Sequence, residues 1–364
     1  DEGEQANVTR IRLVRYRQTK GAETDRLGLR TREPALYSTV WCFVRGGSLN
    51  EHIHVAAATL VDPQGRVLIA KRPERVHQGG QWEFPGGKLE PGETLAVALA
   101  REMNEEIGIR VLASRPLIRV RHDYGDRHVL LDVHRVTGYA GDPHGREGQP
   151  IAWVHPDAMD PATFPAADRP IISALRLPEC YLITGEDPRI PDRFMDRLDR
   201  ALAQGIRLVQ LRAHDLSDDD YAGLAQGAFR LCARHGARLL LNRDPHLVRD
   251  LPCHGLHLTA WRLAALVRRS PDDRRLVGAS CHTTQDLAHA THLGLDYALL
   301  SPVRVTQSHP DASPLGWERF AALAEGAGLP VYALGGLGPG DLDVAFAHGA
   351  QGIAAIRGFW GHRG

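Results

Sequence analysis

Three glutamates, Glu102, Glu105 and Glu106, stand at i, i+3 and i+4 within residues 86–109, "GGKLEPGETLAVALAREMNEEIGI". Glu90 and Glu93 precede them in the same stretch. On a helix the three would share an arc of about 100°. Like charges stacked on one face repel, and the C-terminal end of the helix dipole adds to the cost. Something must offset that repulsion. A solvated acidic surface is the plain alternative. The setting here is richer, with a glycine-bearing loop, "GGK" and "PGE", just ahead of the carboxylates. Arg101 can hold the neighbouring glutamates in place. Clustered carboxylate oxygens suit a hard divalent cation such as Mg²⁺, which commonly bridges to substrate phosphates. The chemistry expected is therefore a Mg²⁺ platform for a phosphate substrate, with Mn²⁺ as the alternative ion.

These side chains need a scaffold. Thr94 suits a helix N-cap after the turn Pro91-Gly92, and Gly108 suits a helix terminator. Between them Ala96, Leu99, Met103 and Ile107 make a core-facing stripe, with the glutamates on the neighbouring arc. Upstream, "HVAAATLV" and "RVLIAK" read as strands joined by "DPQG", followed by "WEF". Downstream, "PLIRVRHDY" and "RHVLLDVHRV" predict a hairpin around Gly125-Asp126. A short strand "IAWV" and a closing helix "ADRPIISALRL" complete a mixed α+β domain, residues 53–177.

From Cys180 the pattern changes. Eight apolar runs alternate with amphipathic stretches: "YLIT", "RLVQLR", "ARLLLN", "GLHLT", "LVGASCH", "YALLSP", "PVYALGG" and "GIAAIRG". Repeated βα units imply a parallel sheet. Eight of them predict a compact (β/α)₈ barrel over residues 178–364, with a doubly wound open sheet as the alternative. Residues 1–52 are Arg-rich but also acidic and show no period. A poorly ordered extension is expected there, a basic arm for a partner being the other reading.

The chain has 364 residues, enough for two cores. Lys+Arg and Asp+Glu both total 44, so nothing draws it generally to nucleic acid or to an anionic membrane. Its five cysteines are scattered without a C-x-x-C. That argues against a disulfide framework or cysteine zinc site and for a reducing cytoplasm. No apolar run approaches the roughly 18 residues that span a bilayer. The "EHIH" at 51–54 lacks an evident third ligand and is not read as a zinc site.

Gly87, Glu93, Arg101, Glu102, Met103, Glu105, Glu106, Gly108 and Ile109 match, position for position, the signature of the Nudix hydrolases, which this segment resembles. "WEFPGGK", "DRH" at 126–128, "GREGQP" at 145–150 and "FPAADRP" at 164–170 look like the MutT branch, which cleaves oxidised guanine nucleotides. The resemblance implies an α/β/α sandwich that converts 8-oxo-dGTP to the monophosphate and pyrophosphate, cleansing the nucleotide pool. It implies metal ligation by Glu102, Glu105, Glu106, Glu147 and the Gly86 carbonyl. It implies nucleotide contacts at Arg72, His77, Glu83, Phe84, Pro85, Gly86, Arg127 and Asp168. Arg101 and Glu93 would orient the others, and Glu102 or Glu147 would be the base. One position departs: the branch has Asn where this chain has Asp168. An amide donates and accepts at once, whereas an ionised carboxylate only accepts. Asp168 suits the N7–H of an oxidised guanine but opposes its O6, unless burial keeps it protonated.

The second half resembles the thiamine phosphate synthase and thiazole tautomerase group. The likeness rests on "QLR" at 210–212, "LLLN" ending at Asn242, "GLHL" at 255–258, "GASCH" at 278–282, "SPVRVTQS" at 301–308 and "YALGG" at 332–336. The resemblance puts Gln210, Arg212, Asn242, Ser280, His282, Thr306, Ser308, Gly335 and Gly336 around a thiazole- or phosphate-bearing ligand. Departures stand beside it. Arg243 replaces an Asp that binds metal, a second such Asp is missing from "TAWRL", and His214 and His309 replace two lysines. Synthase activity is therefore not expected. Tautomerase-like chemistry with His282, a ligand sensor regulating the hydrolase, and a thiamine pathway whose diphosphates the first half clears all stay open.

Overall fold

The computed structural model describes residues 51–75, 78–125, 127–185, 189–270, 275–306 and 312–360. The expected N-terminal extension, His77, Asp126, Ser308 and His309 lie outside these residues, apart from the strand that begins at Glu51.

The first half is built from β1 (Glu51–Leu60), β2 (Val67–Lys71), β3 (Trp82–Glu83), β4 (Gly86–Lys88), α1 (Leu95–Ile107), β5 (Arg110–Asp123), β6 (Arg127–Ala140), β7 (Ile151–Val154) and α2 (Arg169–Arg176). Two sheets form, in the orders β4-β1-β6-β5 and β3-β2-β7. The expected hairpin is β5–β6, antiparallel from Arg110↔Ala140 to Asp123↔His128. β1 and β2 do not form a hairpin beyond one bridge, Val61↔Val67. The "DPQG" turn instead carries the chain from one sheet to the other, and β1 runs parallel to β6 along its whole length. Because side chains alternate along a strand, β1 serves two cores. Ala56, Ala58 and Leu60 pack with α1, and Ala57 packs in the cluster that holds Ile171 and Ile172 of α2.

α1 departs from the expected stripe at one position. Ala96 is exposed, and Ala98 is buried with Leu99, Met103 and Ile107. At 100° per residue, the buried arc then runs about 180°, from Ala98 round to Ile107. Glu102 and Glu106 fall inside it and Glu105 outside. The glutamates therefore do not sit on a separate polar face. Two of them are folded into the edge of the core-facing side. Thr94 occupies the N-cap without a side-chain cap bond, and Gly108 ends the helix at φ 74°, its N–H returning to Asn104 and Met103 carbonyls.

The second half comprises β8 (Cys180–Ile183), α3 (Pro191–Ala203), β9 (Leu208–Leu211), α4 (Asp218–Arg234), β10 (Arg238–Leu241), β11 (Gly255–Leu258), α5 (Ala260–Ala265), β12 (Leu276–Cys281), α6 (Thr284–His292), β13 (Tyr297–Leu300), α7 (Gly316–Glu325), β14 (Val331–Leu334), α8 (Leu342–Ala347), β15 (Gly352–Ala355) and α9 (Arg357–Trp360). β15 pairs in parallel with β8, so the sheet closes and the open-sheet alternative falls away. Tyr181, Tyr297 and Tyr332 fill the lumen with Ile183, Leu208, Leu240 and Leu299. A Cβ on Gly278 would collide with the Tyr297 ring, so this strand position must stay bare.

The strand-start end of the barrel rests on the β5–β6 hairpin and α2. Gln351 donates to the Ala174 and Leu177 carbonyls at 3.0 Å. Glu179 accepts from Arg115 and Arg135, Arg115 lies over the Phe346 ring, and Arg121 pairs with Glu325 at 2.6 Å. The opposite end, where barrel ligand sites are built, is left clear of these contacts. Among the described residues no helix is long and apolar enough to cross a membrane.

Candidate active site

Arg101 organises the carboxylates of α1. Its guanidinium grips Glu93 with two bonds of 3.0 and 2.9 Å, Glu102 at 2.7 Å, Glu105 at 3.2 Å and the Lys88 carbonyl at 3.1 Å. These bonds hold Glu93 below its usual carboxylate range and raise Arg101 still further above neutrality. Arg101 therefore offsets the repulsion among Glu93, Glu102 and Glu105.

Glu106 receives no such compensation. Its carboxylate's only hydrogen bond among the described residues is from the Gly86 N–H, at 3.0 Å. Burial, together with the charges of Glu83, Glu102 and Glu147, pushes its carboxyl up to about 8. Among the described residues no three carboxylates are drawn together as a ready ligand set, but Glu106, a buried carboxyl with no ion pair among the described residues, is a group that a hard divalent ion could neutralise. Backbone space is kept for the Glu102 carboxylate as well. β4 runs against β1 with Ala57↔Gly86 and Ala56↔Gly87, and a Cβ on Gly87 would overlap the Glu102 carboxylate. Gly87→Ala should therefore displace Glu102 without disturbing the core, leaving the melting temperature within about 2 °C. Hydrolysis is expected to fall at least about tenfold, read by steady-state kinetics beside thermal unfolding.

Glu147 arrives from a distant loop. Residues 144–149 close over the C-terminal end of α1 and satisfy carbonyls the helix leaves unpaired. His144 N–H donates to Ile107, Arg146 N–H and Gln149 Nε2 to Glu106, and Arg146 Nη1 to Asn104, all at 2.8–3.0 Å. Gln149 also accepts from the Glu147 N–H at 3.0 Å. Helix capping thus delivers the fourth carboxylate.

A second group of the expected residues is built around Asp168, only 7% exposed. Burial first, then the Glu83 charge, push its carboxyl up to about 8, and Arg72 opposes the shift. Arg72 is paired with Glu83, whose own carboxyl is raised by burial. Phe84 is buried and stacks on Phe164 at 5.7 Å. Pro85 is buried beside it and accepts from the Ala58 N–H at 2.8 Å. Arg127 opens β6, its carbonyl bonded to the Tyr124 N–H. Tyr124, Gln78 and Phe164 were missed at the sequence level. The Tyr124 hydroxyl hydrogen-bonds the backbone at Ala167 and the Gln78 side chain. An aromatic at the end of a strand carries no signal that it will face a pocket.

In the barrel, Gln210, Asn242 and Ser280 come from strand ends, and Arg212 and Thr306 follow them. Gln210 accepts from Tyr181 at 3.1 Å, and the chain continues Tyr181–Tyr297 at 2.8 Å, Tyr297–His257 at 3.0 Å and His257–Ser280 at 2.9 Å. Burial drives His257 down to about 3, so it is neutral. The two tyrosines and His257 went unpredicted because they sit at inward strand positions that read as core. His282 lies apart, its Nδ1 bonded to the Ser301 carbonyl at 2.9 Å. Gly335 and Gly336 form a turn of positive φ after β14, where added side chains would meet Pro302 and the Val305 carbonyl.

Comparison with known proteins matches the two halves of the chain separately. A family model described as NUDIX domain matches residues 56–174, and one described as thiamine monophosphate synthase matches residues 180–359. An 8-oxo-dGTP diphosphatase of Proteus vulgaris is 46% identical over 96 residues, which is 26% of this chain and 86% of that protein. The 8-oxo-dGTP diphosphatase of Escherichia coli is 32% identical over 124 residues, 34% of this chain and 96% of that one. A thiamine-phosphate synthase of Thermus thermophilus is 34% identical over 170 residues, 45% of this chain and 79% of that one. The chain therefore belongs to two families at once, the Nudix hydrolases through its first half and the thiamine monophosphate synthases through its second.

Proposed function

We propose that residues 53–177 form a divalent-cation-dependent pyrophosphohydrolase that converts 8-oxo-dGTP to its monophosphate and pyrophosphate. The observation that carries this reading is the place of Glu83. Its charge acts on Glu106 on one side and on Asp168 on the other. That proximity supports a reading in which the polyphosphate end and the base end of one substrate would lie on either side of Glu83. Glu102, Glu106 and Glu147 would hold Mg²⁺ or Mn²⁺, with Glu105 and the Gly86 carbonyl completing the set that the resemblance implies. A bound cation neutralises the phosphates and acts as a Lewis acid at phosphorus.

The chain's own groups do the positioning and the proton handling. Glu93 fixes Arg101, and Arg101 fixes Glu102. Glu147 is exposed and has no ion pair among the described residues, so it is the better placed of the two candidates to take a proton from the attacking water. Asp168, held protonated by its burial, would donate from O–H to the guanine O6 and accept the N7–H on its carbonyl. It would then reproduce both bonds of the Asn it replaces. Oxidised and ordinary guanine differ in that N7–H, so discrimination rests on this residue. Such a role in cleansing the nucleotide pool is a cytoplasmic one.

The test is a panel of 8-oxo-dGTP, the ordinary nucleoside triphosphates and thiamine diphosphates, each with Mg²⁺ and with EDTA. Preference for 8-oxo-dGTP, abolished by EDTA, is expected. Hydrolysis of none of them, or a rate indifferent to EDTA, sinks the reading. A preference for the thiamine diphosphates would favour the thiamine-pathway alternative.

We propose that the barrel performs no synthase reaction. The geometry of His282 favours a second reading, tautomerase-like proton transfer. Its Nδ1–H is committed to the Ser301 carbonyl, which leaves Nε2 as a free acceptor at the strand-end face.

A further inference from the structure

The resemblance of the second half implies a cation held by two aspartates at the barrel mouth. The residues present do not fit one. Arg243 stands where the first carboxylate is expected, and α5 opens with Ala260, Trp261 and Arg262 where the second is expected. β9, β10 and β11 are adjacent in the barrel. Arg212, Arg243 and Arg262 follow these three neighbouring strands at the same end, so guanidinium charge has replaced carboxylate charge.

The three arginines are not equivalent. Arg243 is fully spent. It donates to the carbonyls of Ala213 at 3.0 Å, His214 at 3.4 Å and Leu216 at 2.7 Å, and to Asp218 at 2.8 Å and 3.3 Å. Its plane covers the Tyr221 ring at 4.8 Å. It therefore stitches down the loop that carries His214. Arg262 is less engaged: its guanidinium lies over the Trp261 ring at 4.8 Å, and its buried Nε has no hydrogen-bond partner among the described residues. A buried guanidinium donor without an acceptor is destabilising unless something supplies one. Neither Arg212 nor Arg262 pairs with a carboxylate among the described residues. His214 reports the resulting field. Burial and then Arg212, Arg262 and Arg243 depress its charged form, against Asp215 alone. Next to this cationic patch, Asn242 is 4% exposed and its Oδ1 has no donor among the described residues.

We propose that the mouth of the barrel holds the phosphate or diphosphate of a phosphorylated small molecule directly on Arg212 and Arg262, without a divalent cation. A guanidinium can serve here because it offers fixed charge and paired donors to phosphate oxygens. The orphan oxygen of Asn242 asks that the ligand also carry an N–H or O–H beside the anionic group. The site is independent of the nucleotide cleft in the first half.

Calorimetric titration of inorganic pyrophosphate into the full chain in EDTA tests this, since chelation silences the carboxylate cleft. Binding to one site is expected, weakened about tenfold or more in Arg262→Gln and partly kept in Arg262→Lys. Added Mg²⁺ should not tighten it. Heat that appears only with Mg²⁺, or Arg262→Gln binding as tightly as the parent, overturns the proposal. Hydrolysis by the first half should be unchanged in both variants, which reports that they are folded. Failure of the hydrolase reading would show in the parent's hydrolysis assay, and failure of this one only in the EDTA titration.

Discussion

Glu106→Gln is expected to abolish hydrolysis while raising the melting temperature of the metal-free chain. The two effects have one cause. Glu106 is a buried carboxyl set among Glu83, Glu102 and Glu147, with a single backbone N–H for support. Removing its charge removes a ligand oxygen that a cation would pair with. A loss of about 4 kcal/mol of transition-state stabilisation corresponds to about a thousandfold in rate. The same charge strains the apo fold. Its folded carboxyl is raised from 4.5 to about 8, so between those values the native chain binds more protons than the unfolded one. The stability contribution is intact below pH 4.5 and is lost as pH rises towards 8. Thermal melts in EDTA should show that decline in the parent and a shallower one in Glu106→Gln. Saturating Mg²⁺ should restore the parent, by about 3 kcal/mol at a hundredfold excess over Kd, and should act more strongly at higher pH. A variant that hydrolyses normally, or a parent that Mg²⁺ does not stabilise, would contradict the cation platform.

Asp168→Asn carries the second large effect. On the proposed reading, the protonated acid of the parent would contact both O6 and N7–H of an oxidised guanine. Above pH 8 it ionises, loses its donor and repels O6. KM for 8-oxo-dGTP should then rise by about tenfold per pH unit, whereas Asp168→Asn, whose amide cannot ionise, should show no such limb. Comparing the two at each pH cancels any titration of the nucleotide itself. At pH 9 the variant should prefer 8-oxo-dGTP over dGTP more strongly than the parent does, by the 1–3 kcal/mol a good bidentate contact is worth (roughly ten- to a hundredfold). Identical pH profiles would mean that Asp168 does not read the base. The stability sign is the same as for Glu106. A carboxyl raised from 3.8 to about 8 costs stability as pH climbs through that window, and Asp168→Asn should remove the portion that Mg²⁺ does not.

Much of this was legible because it is local. The spacing of Glu93, Arg101, Glu102, Glu105 and Glu106 announces a helix and a charge cluster within two dozen residues. The β-strands of the barrel show as short apolar runs because both faces of such strands are buried, and all eight lie where they were expected. The arc of α1 was misjudged by one position, Ala96 for Ala98, because two alanines differ in burial without differing in composition. The separation of β1 from β2 into different sheets was hidden too, since a turn signal says that the chain reverses but not which strand it meets.

The sequence by itself determined the reaction type and the two families, because the box residues and the barrel motifs are short-range patterns of type and spacing. It also determined which charges the barrel lacks, since Arg243 can be read where a carboxylate is expected. Only the tertiary structure decided how those groups act. It carried Glu147 close to Glu106 through a loop that caps a helix, set Glu83 near enough to both Glu106 and Asp168 to raise their carboxyls, and left Glu106 with no ion pair among the described residues. It also buried Asp168, which pushes its carboxyl well above the usual range. Protonation and partnership depend on what surrounds a side chain in space, and residues far apart along the chain supply those surroundings.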